Sequence, residues 1–191
     1  MTRVCLVGNE DVNLRYELLS RETSRDALVT YDLSEPYENA VGLETVSLGA
    51  AVSLLNDLNW YLVRFVDHAL GFEPSISDSE WLSRDLAAAV REDRIDPDET
   101  GRYLMVFGVQ QPDGGGETSG EGDGDPGQES DDEADVDGEA GDEPAEPSSD
   151  EPPRLRDPML VARTGTPIPE YDLYDVEETL VVRVTESEFD A

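Results

Sequence analysis

The chain contains a single histidine, His68, and a single cysteine, Cys5, so no metal site can be built from several side chains of these two types. The two could act together only as a nucleophile and its base, which requires side chains within hydrogen-bond distance. Cys5 stands in the apolar run VCLVG, where a cysteine is typically an inert core residue. His68 is expected near the end of a helix, where its charge would complement the helix dipole. The sequence therefore predicts no catalytic pair.

The acidic run ESDDEADVDGEAGDEP would hold calcium only if its carboxylates matched the EF-hand pattern. Glu133, Asp135, Asp137 and Gly138 occupy the first ligand positions and the turn of that pattern. Pro144 stands where the final glutamate ligand is needed, and a proline side chain cannot coordinate a cation. No metal site is therefore predicted.

Lysine is absent, since all 13 basic side chains are arginine. This excludes Schiff-base chemistry, attachment of pyridoxal phosphate and the lysine of a phosphate-binding P-loop. The segment GNED after the first apolar run has one glycine, Gly8, and two acids, so it does not match a nucleotide-binding loop. No cofactor is predicted. Acid–base chemistry by carboxylates and arginines at strand ends stays open, and Arg15, Arg21 and Asp32 are its candidates.

The chain is strongly acidic, with 46 acidic residues against 13 basic ones and a net charge of -33. Such self-repulsion is tolerated at high salt, because the Debye length falls to about 3 Å at about 1 M ionic strength. Together with the missing lysine, the charge predicts a halophilic protein. The same charge argues against nucleic acid as a partner, since binding to phosphates depends on clustered basic residues.

The longest apolar stretch, 48–70, is interrupted by charged and amide side chains and does not predict a membrane-spanning helix. The apolar run at the N-terminus is too short for a signal peptide. We therefore expect a cytoplasmic protein that does not associate with membranes.

Hydrophobic periodicity predicts strands and helices on both sides of the acidic run. The predicted strands span 3–7, 27–33, 43–48, 102–109, 158–163 and 178–186. The first predicted helix is capped by Asn9, Asp11 or Asn13, the long second helix spans 51–70 and ends at Gly71, and the third begins at the capping box Ser77-x-x-Glu80.

This order predicts an α+β fold with a ferredoxin-like (split β-α-β) sheet core, an extra helix and two C-terminal strands, interrupted by a long disordered acidic insertion. Because an isolated two-stranded hairpin is marginal in water, the C-terminal strands are expected to pack on the first part of the chain. The predicted divisions are 1–110 for the first part of a single domain, 111–156 for the acidic linker and 157–189 for the strands that complete the domain. A doubly wound parallel sheet stays open as an alternative.

One surface feature of the long second helix could bind a partner. Trp60 falls on the polar side of this helix, with Asp57 one turn before it and Arg64 one turn after it. An exposed aromatic side chain beside an arginine is typical of binding hot spots. The alternative is that the third helix or the C-terminal strands cover Trp60, because most large aromatic side chains are buried.

The stretches MTRVCLVG, DVNLRYELLSRE, TVSLGAAVSLLNDLNWYLVRFVDHAL and YDVEETLVVRVTESEF resemble an uncharacterised domain family of haloarchaea. This resemblance implies a salt-adapted cytoplasmic protein and assigns no activity or site. The leading hypothesis is a non-catalytic regulatory or protein-interaction module that associates with itself or with another protein. The alternative is a small ligand-binding domain or an enzyme that uses carboxylates and arginines.

Overall fold

The computed structural model describes residues 1–112, 151–165 and 178–191, which form a mixed α+β fold around one sheet. The run ESDDEADVDGEAGDEP lies outside these residues, as does the part of the predicted disordered insertion from 113 to 150. The strands are β1 (Thr2–Gly8), β2 (Ala40–Thr45), β3 (Val66–Phe72), β4 (Trp81–Ser83), β5 (Tyr103–Gln110), β6 (Arg154–Leu155), β7 (Met159–Ala162) and β8 (Glu178–Val184). The helices are α1 (Leu14–Ser20), α2 (Glu22–Leu28), α3 (Leu48–Asp57), α4 (Asn59–Phe65), α5 (Arg84–Arg91) and α6 (Glu186–Phe189).

The strand order is β2-β1-β3-β4-β8-β5-β6, and β7 also pairs with β5. Every pairing is antiparallel except that of β4 with β8. The C-terminal strand β8 thus lies in the middle of the sheet, between strands from the first part of the chain. Both β7 and β8 pair with β5 of the first part of the chain.

The sheet curls so that distant strands meet. β3 and β5 are three strand positions apart, which would separate them by about 14 Å in a flat sheet. The rings of His68 on β3 and Phe107 on β5 are nevertheless only 5.0 Å apart. Cys5 and Leu70 share a buried cluster with residues of β5 and β8, which fills the inner face of the curl.

Helices α1 to α5 cover the outer face of the curled sheet, whereas Phe189 of α6 packs against the inner cluster. Val4 and Leu6 of β1 pack with residues of α1, α3 and α4, while Cys5 between them points to the inner cluster. This alternation follows from the two-residue period of a strand. Leu82 of β4 packs in the same outward direction against α3 and α5. The sheet therefore has an apolar core on each face.

The ferredoxin-like arrangement is not confirmed. A split β-α-β unit has two parallel strands with a third strand between them. Here β1 pairs directly with β2, in antiparallel register from Thr2 opposite Thr45 to Val7 opposite Ala40. The connection between them holds α1 and α2 and returns to the neighbouring position in the sheet.

Two of the predicted elements are wrong because tertiary contacts decide their conformation. Residues 27–33 do not form a strand: α2 continues to Leu28, which is buried among the helices, and Val29 after it is exposed. The long helix over 51–70 breaks at Leu58 and ends at Phe65. Val66–Phe72 is then a strand, because it pairs along the free edge of β1.

The predicted capping box is also wrong. The Ser77 hydroxyl does accept a hydrogen bond from the Glu80 amide at 2.9 Å, but a turn and strand β4 follow instead of a helix. The helix begins at Arg84 and is capped by Ser83, whose hydroxyl accepts from the Leu86 amide. The Glu80 carboxylate binds two arginines of the C-terminal segment.

Part of the range predicted to be the acidic linker, 111–156, has regular structure. Arg154 and Leu155 in this range form strand β6.

Candidate functional site

The break between α3 and α4 directs Trp60 outward. Leu55, Leu58 and Leu62 are buried against the sheet, and Leu58 has a non-helical conformation that separates the two helices. The short helix α4 therefore buries Leu62 and Phe65 and turns its other side to the solvent. Trp60 is 55% exposed, so the alternative in which other elements cover it is wrong.

Two arginines flank the Trp60 indole. The guanidinium carbons of Arg21 and Arg64 lie 5.6 Å and 5.7 Å from the centroid of the Trp60 ring. The same guanidinium groups lie 5.3 Å and 5.9 Å from the ring of Phe65, which meets the Trp60 ring edge to face. These distances are within the cation–π range of about 6 Å. The two positive charges are thus held against an aromatic pair.

An exposed aliphatic side chain extends this surface. Val63, one turn after Trp60 on α4, is 79% exposed. We call the surface formed by Arg21, Trp60, Val63 and Arg64 the α4 surface. It combines apolar area with positive charge, a composition that suits binding.

The structure brings together two of the three residues predicted for an interaction surface. Trp60 and Arg64 are in contact on α4, whereas Asp57 is the last residue of α3 and is exposed. Within 1–112, 151–165 and 178–191, no hydrogen bond or ion pair of the Asp57 side chain is present. Arg21 joins the surface from the junction of α1 and α2, where no local pattern signals it, because its proximity to Trp60 is set by the packing of α1 on α4.

The residues proposed for an arginine and carboxylate site do not converge. Arg15 forms a 3.4 Å ion pair with Glu35 at the rim of a separate cleft. Arg21 belongs to the α4 surface and also pairs with Glu17 on α1 at 3.0 Å. Asp32 is exposed in the connection between α2 and β2. These three side chains therefore do not form one site.

Cys5 and His68 lie on neighbouring strands but are not a nucleophile and base. In the register of β1 and β3, Cys5 is opposite Leu70 and Val7 is opposite His68, and no hydrogen bond joins the two side chains. Burial raises the pKa of the Cys5 thiol to about 12, so the thiolate is disfavoured. Burial lowers the pKa of His68, against the opposing charges of Asp67 and Glu188. The prediction that His68 lies near the end of a helix is wrong, because His68 is in strand β3.

Neither a cluster of metal ligands nor a membrane-spanning helix is present in residues 1–112, 151–165 and 178–191. No group of three or more histidine, cysteine, aspartate or glutamate side chains there is arranged to hold a metal ion. Among the helices in those ranges, none is both long enough and apolar enough to cross a bilayer.

Comparison with known proteins assigns the family. The profile of DUF5804, a family of unknown function, matches residues 2–109. The chain belongs to DUF5804. The DUF5804 match contains the whole α4 surface and ends within β5, so β6, β7 and β8 follow the matched range. No curated protein and no solved structure matches the chain.

Proposed function

We propose that this DUF5804 protein is a non-catalytic interaction module that docks an acidic segment of a partner protein on its α4 surface. The observation that carries the proposal is the exposure of Trp60 between the guanidinium groups of Arg21 and Arg64. Tryptophan and arginine are the residues most enriched among binding hot spots. A solvent-facing indole held in this way is ready to bury area against a partner.

Charge complementarity selects an acidic occupant. The chain carries a net charge of -33, so two neighbouring arginines make the α4 surface unlike the average of this protein. Arg21 is partly neutralised by Glu17, whereas Arg64 has no ion pair with any residue of the described segments. A partner segment with carboxylates would pair with Arg64 and lay an apolar side chain on Trp60 and Val63.

The proposed setting is the cytoplasm of a halophile, where the partner is itself expected to be acidic. At about 1 M salt the Debye length is about 3 Å, so only charges in direct contact attract each other. Docking would then depend on close arginine–carboxylate pairs and on apolar burial. The α4 surface offers both within one helical turn.

Comparative capture with matched variants tests the proposal. Wild-type protein, Trp60→Ala, Arg64→Gln and the control Val46→Ala are used as full-length baits in a high-salt native extract. Val46 is exposed in the turn before α3 and lies outside the α4 surface. We expect a protein that is retained by wild type and Val46→Ala and lost with Trp60→Ala.

The captured protein is then purified and its affinity for each bait is measured. Truncation of a hot-spot tryptophan costs about 2 kcal/mol or more, which corresponds to about a 30-fold increase in Kd. Equal Kd values for wild type and Trp60→Ala would overturn the proposal. Sedimentation of the bait alone tests the other occupant: a dimer that Trp60→Ala dissociates would replace the acidic partner with a second copy of this chain.

A further inference from the structure

A cleft opens at one end of the curled sheet, on a different part of the molecule from the α4 surface. It lies where β1 ends and β3 begins, and the segments 35–40 and 152–158 form its other walls. Its volume is about 490 Å³. Small-molecule sites have volumes of about 300–1,000 Å³, and the mouths of β-barrels are among their common positions.

The floor of the cleft is largely aromatic and apolar, and it includes the imidazole of His68. The rings of His68 and Phe107 meet edge to face at 5.0 Å, and Val7, Tyr37 and Ala40 line the floor beside them. Burial lowers the pKa of His68, so its imidazole is neutral near pH 7 and offers one donor and one acceptor. No hydrogen bond joins this imidazole to another side chain of the described segments. The floor therefore offers an apolar surface to a bound molecule, together with an imidazole that can form hydrogen bonds with it.

The rim carries charges of both signs that are only loosely paired. Arg15 lies 3.4 Å from Glu35, and Arg154 lies 3.6 Å from Glu10 and 3.7 Å from Glu38. Strong charge-assisted hydrogen bonds are shorter, at about 2.7–2.9 Å. Exposed pairs of this kind contribute at most about 1 kcal/mol, so a ligand can exchange with them at small cost.

One rim arginine, Arg156, makes no ion pair with the described part of the chain. Its backbone amide donates to the Gly108 carbonyl at 2.8 Å, which fixes its position beside the end of β5. Its side chain lines the cleft and is the guanidinium group most available to a ligand.

The wall between β1 and α1 is held rigidly by Asn39. This residue has a positive φ of 52°, and its side chain accepts from the Leu14 amide and donates to the Asn9 carbonyl, both at 2.9 Å. The Gly8 backbone N–H donates to the Asn39 backbone carbonyl. A Cβ at Gly8 would lie 2.7 Å from the side-chain nitrogen Nδ2 of Asn39. Backbone strain that is maintained by several contacts is typical of preorganised sites.

The balance of charge narrows the ligand class. Three arginines and five carboxylates line the cleft: Arg15, Arg154, Arg156, Glu10, Glu35, Glu38, Asp67 and Asp157. A polyanion such as a nucleotide would meet a net negative lining, and a simple cation would leave the arginines unused. A molecule with one carboxylate and one ammonium group satisfies both sets of charges. We propose that this cleft binds a small zwitterion with an apolar body, of the class of an α-amino acid with an aromatic or branched side chain.

The single histidine gives a direct readout of the cleft. Because His68 is the only histidine, its imidazole C–H protons give one resolved set of proton NMR signals from the full-length protein in high salt. Titration with L-phenylalanine or L-leucine is expected to shift these signals saturably. N-acetyl-phenylalanine and phenylalanine amide, which each lack one charge, should bind about tenfold more weakly, since a hydrogen bond to a charged group contributes about 1.5–3 kcal/mol. No saturable shift with either amino acid would overturn the proposal, as would tighter binding of inorganic phosphate or putrescine.

His68 also borders a second, smaller cavity of about 230 Å³, which Arg156 does not line, so a variant of Arg156 distinguishes the two. Arg156→Gln is expected to weaken binding of L-phenylalanine about tenfold, while Arg94→Gln, whose exposed side chain pairs with Glu92, should leave it unchanged. Equal binding by wild type and Arg156→Gln would overturn the assignment of the site. Trp60→Ala should leave the titration unchanged, so the result is independent of the function proposed for the α4 surface.

Discussion

Glu80 and Arg183 form a buried ion pair across 103 positions of the chain: the Arg183 Nε donates to the Glu80 carboxylate at 2.6 Å. The other carboxylate oxygen of Glu80 accepts from Arg163, so one acid holds two arginines of the C-terminal segment. Arg183 also donates to the Thr100 hydroxyl at 2.8 Å. This network joins Arg183 on β8 and Arg163, the residue after β7, to Glu80, the residue before β4. It therefore links the first part of the chain to β8, the strand that lies in the middle of the sheet.

Replacement of Glu80 should destabilise the fold strongly. In Glu80→Gln, Arg163 and Arg183 would keep their charge while largely buried, and loss of one partner of a buried pair costs about 3–5 kcal/mol. We expect a decrease of about 3 kcal/mol in the free energy of unfolding, measured by denaturant titration at high salt. The control Glu92→Gln breaks the exposed pair with Arg94 and should cost less than about 1 kcal/mol. Similar losses in the two variants would contradict the prediction.

Acid should weaken the same network. Burial alone would raise the pKa of Glu80, but the hydrogen bonds from Arg183 and Arg163 outweigh it and hold the pKa below its usual value. The contribution to stability is therefore complete above the ordinary pKa of glutamate, about 4.3, and is lost as the pH falls through the lower folded value. Denaturant midpoints measured from neutral pH downward should fall more steeply for wild type than for Glu80→Gln. Parallel curves would show that Glu80 does not contribute.

His68 should titrate below the ordinary pKa of histidine. Its pKa is lowered by burial, and the charges of Asp67 and Glu188 oppose this effect. The neutral form is favoured in the folded state, so this contribution to stability is present above about pH 6.5 and is lost as the pH falls toward the folded pKa. A pH titration of its NMR signals should give a pKa below 6.5, and Asp67→Asn should lower it further. A pKa above 6.5 would contradict the assigned environment.

The acidic segment should be dispensable for the fold. Gln110 at the end of β5 is the register partner of Arg154 at the start of β6, so the chain leaves and re-enters the sheet at adjacent positions. Removing 113–150 and joining Pro112 to Glu151 with a short glycine and serine turn would convert this connection to a hairpin. We expect an unchanged circular dichroism spectrum and thermal midpoint at high salt. An insoluble or unfolded product would show that the segment contributes to the fold.

Low salt should unfold the protein. With a net charge of -33, dilution to about 0.1 M lengthens the Debye length to about 10 Å and strengthens self-repulsion across the surface. The helix signal in circular dichroism should decrease as salt is removed and recover when it is restored. A signal that is unchanged down to about 0.1 M would contradict the inference of salt adaptation.

Local patterns were sufficient for several elements of this fold. The apolar runs at β1, β5 and β8 predict strands that the structure contains, and Asn13 caps α1 as one of the three candidates. These elements combine strong apolar periodicity with clear end signals, so tertiary contacts agree with local preference. The place of Trp60 on the polar side of a helical pattern left its exposure and its burial both open, because spacing sets the direction of a side chain but not whether a distant element covers it.

Contacts between distant segments decided the rest. Val66–Phe72 continues a helical pattern, yet it is a strand because β1 offers a free edge whose hydrogen bonds outweigh a weak local preference. Glu80 matches a capping box but is bound by arginines more than 80 positions away. Arg21 reaches Trp60, and His68 meets Phe107, only through helix packing and the curl of the sheet. Composition and periodicity thus determined the acidic character and the strongest elements, whereas the α4 surface and the cleft depend on pairings that no local pattern encodes.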